Sequence, residues 1–333
     1  MANLHTHFEN PNTNSKVKTK PYLLDTIELL DHRQCLQGFQ RDKQTQNKLL
    51  LKAQNSYFSK GLSKKLMCLD SKLKKSYKRT YYDCQTTIVQ EGQKLTSRYC
   101  GARWCQTCNR IRTAKLTNGY FKSIQAMNEP MFVTLTIPNV IKEDLKHFIK
   151  LMVSVSTNSI RALKRKQIAF NGIRKLECTY NAKSNNYHPH FHFIVDGLKA
   201  STELVNEWLR RFPLAESWCQ DIRPLTDSKE LFKYQAKPST KTKTGNYVFL
   251  SALDTIFTAI KGMRTFQAFG NIKMLKEDIE ELQSEELNIE HQEFVLWLWD
   301  WDNSDWFSME SREPLTHYKP SKKIRSFIEK RLI

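Results

Sequence analysis

The chain has 333 residues, of which 40% are hydrophobic, and 53 Lys and Arg residues stand against 34 Asp and Glu residues. That hydrophobic share is enough for the core of one large domain or two smaller ones. The net charge of +19 favours a nucleic-acid partner over a membrane surface, because Lys and Arg supply most of the non-specific affinity for phosphate backbones. No apolar run approaches the roughly 20 residues that span a bilayer. We therefore expect a soluble, cytoplasmic protein.

The N-terminal quarter shows charge but no recognisable chemistry. Residues 1–20 are rich in Asn, Thr and Lys with almost nothing to bury, so a disordered tail is expected. Residues 21–80 carry leucines at helical spacing among many basic side chains, which predicts two or three helices. We interpret this stretch as a basic helical DNA-binding region.

A cysteine cluster within residues 81–128 is the first candidate metal site. Its members are Cys84, Cys100, Cys105 and Cys108. The Cys105-x-x-Cys108 pair forms the tight knuckle that a tetrahedral Zn²⁺ requires, and the other two complete four thiolates. In a cytosolic chain such a cluster indicates metal before disulfide, with a redox pair or unliganded buried cysteines as the alternatives. The basic helix that follows suits contact with a DNA backbone through Arg110, Arg112 and Lys115.

The middle of the chain alternates strand and helix patterns. Residues 131–138 are apolar and β-branched and predict a buried strand. The next predicted elements are a helix over 142–165, a helix over 201–217 with Ser201 as its cap, an edge strand over 221–224 and a helix over 225–237. This order predicts an antiparallel sheet with helices packed across it.

Two alternating segments, residues 173–180 and 188–195, are joined by a polar turn and predict a hairpin. Residues two apart in a strand share a face, so His190 and His192 should point the same way. The hairpin would bring Glu177 beside them. Two His and one carboxylate suit a catalytic divalent ion better than a closed structural one. His188 has the same spacing to His190, so that pair is an alternative.

A nucleophile candidate lies in the predicted helix over 225–237. Glu230 and Tyr234 are four residues apart and share a helix face, and Lys237 follows three residues later. A phenol with a pKa near 10 is a poor nucleophile unless a metal ion polarises the phosphate and a cation stabilises the phenolate. Lys237 can supply that cation. The rival nucleophiles are Tyr187 and Tyr247.

The run H-P-H-F-H-F-I-V, residues 188–195, resembles the histidine, hydrophobic, histidine signature of the HUH endonucleases, and within them the rolling-circle plasmid replication initiators. Three further signals extend the resemblance over roughly residues 80–275. Cys100, Arg103, Cys105 and Cys108 fall on the spacing of the family's cysteine knuckle, with Gln106 where proline is usual. The F-V-T-L-T strand resembles its first motif, and Glu230, Tyr234 and Lys237 match its third.

The resemblance implies an α+β fold, with an HUH-type central antiparallel sheet flanked by helices and an N-terminal helical, zinc-containing extension. The endonuclease domain would span residues 129–275. Residues 276–333 are expected to form an acidic helix over 276–293, a Trp-rich strand and a basic tail. In that strand Trp297, Trp299 and Trp301 alternate, and core packing is favoured over base stacking.

The resemblance also implies a mechanism. Mg²⁺ or Mn²⁺ held by His190, His192 and Glu177 would polarise the scissile phosphate of a plasmid origin, as a single strand or a hairpin. Tyr234 would join the 5′ phosphate covalently and leave a 3′-OH primer, and Glu230 would activate water for the closing cut. Arg103 in the knuckle would contact DNA.

Partners and alternatives complete the interpretation. The sequence shows no Walker loop, so the resemblance implies a host helicase and polymerase as partners, with homodimer formation left open. One alternative is a transposase or relaxase that uses the same chemistry. Another is a non-catalytic, zinc-containing DNA-binding protein, which would leave the histidine, glutamate and tyrosine set unexplained.

Overall fold

The computed structural model describes residues 43–92, 94–232, 240–242, 245–274, 285–286, 294–330 and 332–333. It is a mixed α+β structure in which helices flank antiparallel sheets, as the sequence predicted. The helices are α1 (Lys43–Leu66), α2 (Lys74–Tyr82), α3 (Gln106–Gln125), α4 (Leu145–Arg165), α5 (Leu198–Arg211), α6 (Lys229–Phe232), α7 (Leu250–Ala259) and α8 (Lys322–Lys330). The predicted tail over residues 1–20 lies outside the described residues.

The strands fall into two larger sheets and one hairpin. They are β1 (Thr87–Glu91), β2 (Lys94–Ser97), β3 (Pro130–Thr136), β4 (Gly172–Asn181), β5 (Asn186–Asp196), β6 (Asp221–Pro224), β7 (Thr240–Thr242), β8 (Gly245–Tyr247), β9 (Phe266–Phe269), β10 (Glu285–Glu286), β11 (Phe294–Asp300) and β12 (Asp305–Ser308). β7 pairs only with β8 among the described residues.

The central sheet has the order β6-β3-β5-β4-β9, and every neighbouring pair is antiparallel. The predicted strand over 131–138 is β3, and it lies beside the histidine strand β5. One face of the sheet packs under α4, α5 and α7 through fully buried side chains such as Phe191, Phe193 and Trp208. The other face packs under α3 and α6 around Phe132 and Ile194. Apolar residues on both faces explain the continuous hydrophobic runs over residues 131–133 of β3 and 193–195 of β5.

The second sheet has the order β10-β2-β1-β11-β12 and joins distant parts of the chain. β1 pairs with β11, so two segments that the sequence assigned to separate regions share one ladder. Helix α1 covers this sheet, and Trp297 and Trp299 are 8% and 6% exposed in the shared core. The prediction of a strand that packs its indoles inward is confirmed for these two. Trp301 lies just past the end of β11 and is 41% exposed.

Three helix predictions were wrong in detail. The helix predicted over 225–237 begins only at Lys229, where α6 starts, and residues 233–237 lie outside the described part. Helix α5 begins at Leu198, before Ser201, because Gly197 at its N-cap adopts the left-handed conformation (φ 100°) that turns the chain out of β5. Ser201 is buried in the first turn and donates to the Gly197 carbonyl. Within the predicted acidic helix over 276–293, Glu285 and Glu286 form β10 against β2, and the other residues lie outside the described part.

Among the described residues, no helix is both long enough and apolar enough to cross a membrane.

Candidate metal centres and active site

The β4–β5 hairpin places two histidines and one glutamate on one face of the central sheet. Glu177 lies directly opposite His190 in the ladder. Its Oε2 atom is 3.4 Å from Nε2 of His190 and 3.6 Å from Nε2 of His192. Two ligands of one divalent ion, each about 2.1 Å from it, are about 3.0 to 3.5 Å apart. The three side chains therefore fit a shared divalent ion, and they leave its remaining positions open.

Hydrogen bonds behind the histidines orient their rings. Nδ1 of His190 is 3.1 Å from the carbonyl oxygen of His188, a group that can only accept a hydrogen bond. Nδ1 of His190 therefore carries the proton, and its Nε2 lone pair faces the ion position. Nδ1 of His192 is 3.1 Å from the Thr134 hydroxyl on the neighbouring strand. Each ring is thus held with Nε2 directed toward Glu177.

A buried lysine, which the sequence analysis missed, completes this group. Lys175 is 1% exposed, lies opposite His192 in the ladder, and its Nζ forms an ion pair with Oε1 of Glu177. Burial alone raises the pKa of Glu177, but His190, His192 and the Lys175 ammonium outweigh it and hold that pKa well below its ordinary value. Glu177 is therefore an ionised carboxylate. The two-residue spacing of Lys175 and Glu177 in a strand was the signal that placed them on one face.

His188 stands beside this group rather than in it. The three side chains whose ligand atoms converge are Glu177, His190 and His192. Nδ1 of His188 is instead 2.9 Å from the Asn139 side-chain oxygen, and its ring stacks on that of His190 at 5.1 Å. Burial, together with the two other histidines, lowers the pKa of His188 to about 4. The geometry favours the His190 and His192 pair over the pair of His188 with His190.

This difference between the histidines gives a direct prediction. His190→Ala should weaken Mn²⁺ binding by at least about 100-fold, because a ligand is lost. His188→Ala should cost about tenfold or less, because alanine keeps the backbone carbonyl that orients His190. Titration of free Mn²⁺ by electron paramagnetic resonance measures both affinities. The opposite order would make His188 the ligand.

The helix that carries part of the third motif packs on the same face as the histidines. Phe232, at the end of α6, is buried in the cluster that contains Phe132, whose ring lies 5.2 Å from that of His192. The backbone of Glu230 belongs to α6, but its side chain is outside the description. Tyr234 and Lys237 lie outside the described residues. In the sequence Tyr234 follows Phe232 by two residues.

The rival tyrosines lie elsewhere. Tyr187 alternates with the histidines along β5 and so points to the opposite face, where it is 3% exposed in the main core. Burial raises its pKa further above the ordinary value, which opposes phenolate formation. Tyr247 lies in the separate β7–β8 hairpin. Neither one shares the face of the Glu177, His190 and His192 group by its strand position.

The four predicted cysteines converge into a second centre. The Sγ atom of Cys84 is 3.7 Å from those of Cys105 and Cys108, and Cys100 and Cys108 are 3.5 Å apart. Four thiolates about 2.3 Å from one tetrahedral Zn²⁺ lie about 3.8 Å from each other, whereas disulfide sulfurs are about 2.05 Å apart. The spacing therefore fits a tetrahedral ion and does not fit a disulfide.

Backbone groups of the knuckle support the sulfurs. The N–H groups of Cys100, Gly101 and Ala102 donate to sulfur atoms of the cluster at 3.3 to 3.4 Å. Gly101 has a φ of 67°, a conformation that a side chain would strain. The N–H of Gln106 donates to the Ser59 hydroxyl on α1 at 2.9 Å, a bond that proline cannot make. The glutamine thus ties the knuckle to α1.

The basic side chains around α3 divide into two roles. The guanidinium of Arg103 donates to the carbonyls of Ile260 and Met263 at 2.8 and 2.9 Å. It fastens the knuckle to the turn that follows α7 rather than facing solvent. Arg112 donates to Asn109 and to the Gly101 carbonyl. Arg110 is exposed and Lys115 half-buried, so these two remain the better candidates for contact with a DNA backbone.

Part of the chain is similar to known replication proteins. Residues 93–199, which include most of the knuckle, β3 and the histidine strand, match the model of a family described as replication protein. The chain is 37% identical over 130 residues to Protein rep of Staphylococcus aureus, an alignment that covers 34% of this chain and 55% of that relative. It is 28% identical over 144 residues to Protein rep of Bacillus sp, covering 42% and 44%. The chain therefore spans about half the length of these two relatives.

A longer and weaker similarity joins the chain to Protein rep of Lactiplantibacillus plantarum, with 23% identity over 252 residues, 63% of this chain and 79% of the relative. No solved structure matches the chain.

Proposed function

We propose that this chain, a relative of the replication proteins named Protein rep, initiates rolling-circle replication of a plasmid by nicking one strand of its origin. The observation that carries the proposal is the convergence of Glu177, His190 and His192 on one face of the sheet. Ionisable groups held together in this way are typical of a site for chemistry on phosphate. A DNA-binding module would gain nothing from them.

His190, His192 and Glu177 would hold Mg²⁺ or Mn²⁺. When bound, the ion would polarise a non-bridging oxygen of the scissile phosphate and stabilise the charge that develops there. The Lys175 ammonium offsets the negative charge of the Glu177 carboxylate. Most of the positive charge of the ion would therefore remain available to attract the phosphate. The four cysteines would hold a structural Zn²⁺ and position the basic helix α3.

Tyr234 would supply the nucleophile. Its phenolate oxygen attacks phosphorus, the bond to the 3′ oxygen breaks, and that oxygen takes up a proton to become the 3′-OH primer. Lys237 would stabilise the phenolate. The strand stays joined to the enzyme as a 5′-phosphotyrosine, so rejoining consumes no further energy source.

At termination Glu230 would remove a proton from the water that performs the closing cut. A host polymerase would extend the primer while a host helicase unwinds the template.

The proposal is tested by trapping the covalent adduct. Wild-type, Tyr234→Phe and Tyr187→Phe proteins would be incubated with Mn²⁺ and labelled single strands that tile the origin region, then run on a denaturing gel. We expect an adduct with wild type and with Tyr187→Phe, and none with Tyr234→Phe. Tyr187→Phe is the matched control, since the same hydroxyl is removed from the opposite face of the sheet.

Other outcomes separate the alternatives. An adduct that survives Tyr234→Phe but not Tyr187→Phe would keep the enzyme class and change the nucleophile. Wild-type protein that binds these strands but never forms an adduct would favour the zinc-containing binding module. A transposase or relaxase would form the adduct on strands from the ends or transfer site of its own element instead.

A further inference from the structure

The short turn between α5 and β6 displays an indole to solvent. This 3-10 turn spans Ser217–Cys219, and Trp218 at its centre is 78% exposed, more than any other large hydrophobic side chain among the described residues. Its neighbour Leu214 is 60% exposed. A single exposed apolar residue is common on protein surfaces. The significance of Trp218 therefore depends on how its backbone is held and on what lies beside it.

Side-chain hydrogen bonds pin this turn to β3. The N–H of Thr136 donates to Oε1 of Gln220 at 2.8 Å, and the Thr136 hydroxyl donates to the Cys219 carbonyl at 3.2 Å. Nε2 of Gln220 also donates to the Glu216 carbonyl at 2.7 Å, across the turn. The amide of Gln220 thus continues the pairing of β6 with β3 by one position. The backbone that presents Trp218 is fixed on both sides.

The residue that pins the turn is the neighbour of a metal-site histidine. Thr136 lies directly opposite His190 in the β3–β5 ladder, and opposed residues have Cα atoms about 4.5 to 5.5 Å apart and share a face. The Thr136 hydroxyl that holds Cys219 is therefore on the face of the Glu177, His190 and His192 group. Trp218 directly precedes Cys219, so the Thr136 hydroxyl holds the backbone beside Trp218 next to that face.

The edge strand adds a positive charge to this rim. Arg223 of β6 lies opposite Phe132, its guanidinium is 4.6 Å above that ring, and it forms an ion pair of 3.3 Å with Asp221. The ring of Phe132 in turn lies 5.2 Å from that of His192. An exposed aromatic ring and a cation around one site suit a strand with unpaired bases, because rings stack on bases while cations attract the backbone.

We propose that Trp218 is a stacking platform for an unpaired base of the strand that enters the Glu177, His190 and His192 site. The substrate class is single-stranded DNA. The inference rests on the proposed function for the identity of that strand, but stacking on Trp218 needs neither the divalent ion nor the nucleophile. An indole on a fixed backbone at the rim would hold one base and so set which phosphate reaches the ion. Trp218 is accordingly a positioning residue.

The test measures DNA binding without catalysis. The full-length chain and its Trp218→Ala, Trp218→Phe and Leu214→Ala variants would be titrated against a fluorescent single-stranded oligonucleotide by anisotropy, with no added divalent ion. Loss of one stacked base costs about five- to 150-fold in affinity, so Trp218→Ala should weaken binding at least fivefold. Trp218→Phe should stay within about threefold, because a ring is retained, and Leu214→Ala should match wild type.

Two further readouts separate stacking from other roles. Oligonucleotide binding should quench tryptophan fluorescence of the wild type, and Trp218→Phe should lose most of that quenching. Affinity for a long blunt duplex should be unchanged in Trp218→Ala, because the bases inside a duplex are already stacked on each other and offer no free face to the ring. Unchanged single-strand affinity in Trp218→Ala, or an equal loss for duplex DNA, would overturn the inference.

Failure of the stacking platform can be distinguished from failure of the proposed nicking function. Adduct formation through Tyr234 together with normal single-strand binding by Trp218→Ala would refute the platform alone. Weakened single-strand binding by Trp218→Ala in a chain that never forms an adduct would support the platform and refute the nicking mechanism. A wild type that binds no single strand would refute both.

Discussion

Cys105→Ser is expected to destabilise the protein by about 4 kcal/mol or more, as losses of a structural metal do. Cys105 is fully buried and is the N-cap of α3, where its Sγ lies 3.7 Å from that of Cys84. The cluster joins the end of α2, the segment after β2 and the start of α3. Serine is a poor zinc ligand, so its substitution opens a connection between three elements and leaves a hydroxyl in an apolar pocket.

Thermal unfolding and zinc content measure this effect together. Wild type should contain one zinc per chain, whereas Cys105→Ser should contain far less and melt at least about 5 °C lower. Cys68→Ser is the matched control, because that thiol is exposed and lies outside the cluster, and it should melt with wild type. A wild type without zinc whose melting temperature equals that of Cys105→Ser would contradict the structural zinc centre.

The convergence of Glu177, His190 and His192 was predictable because every step in its assembly is local. Alternation placed His190 and His192 on one face, and a short polar turn brought Glu177 opposite His190. The cysteine knuckle was equally local, since Cys100, Cys105 and Cys108 lie within nine residues. Patterns with period two and tight loops are the signals that a sequence carries most directly.

Features that depend on distant packing could not be predicted. β1 pairs with β11, about 200 residues later, and no local pattern specifies that partner. A lysine in a strand is normally taken as solvent-facing, yet Lys175 is buried because Glu177 is there to pair with it. Arg103 matched a family motif, but the carbonyls that it binds belong to the turn that follows α7. In each case the role of the residue or strand depends on the group that it contacts in the folded chain, and no local sequence pattern specifies that group.

Removing Glu177 should affect ion binding and stability through separate causes. Glu177→Gln takes away one proposed metal ligand and also leaves the buried ammonium of Lys175 beside a neutral amide. Breaking a buried ion pair in this way costs about 3 to 5 kcal/mol, because one charge stays buried without compensation. We therefore expect Glu177→Gln both to melt at a lower temperature and to lose Mn²⁺ affinity by at least about 100-fold.

The double variant Lys175→Met with Glu177→Gln separates the two causes. It removes both charges, so it should recover more than half of the lost stability while ion binding stays as weak as in Glu177→Gln. Unfolding titrations and Mn²⁺ binding to the same samples measure both. Recovery of ion affinity in the double variant would show that Glu177 is not a ligand.

An exposed pair of the same chemistry serves as the control for this cycle. Lys166 and Glu203 form a 3.0 Å ion pair at the surface, so Glu203→Gln should change stability little.

The pH dependence of the free energy of unfolding gives a further test of the Lys175 and Glu177 pair. The folded-state pKa of Glu177 lies well below the ordinary value of 4.5, so its stabilisation is present above that pH and disappears as the pH falls toward the folded-state value. The stability gap between wild type and Glu177→Gln should therefore persist at neutral pH and narrow in acid.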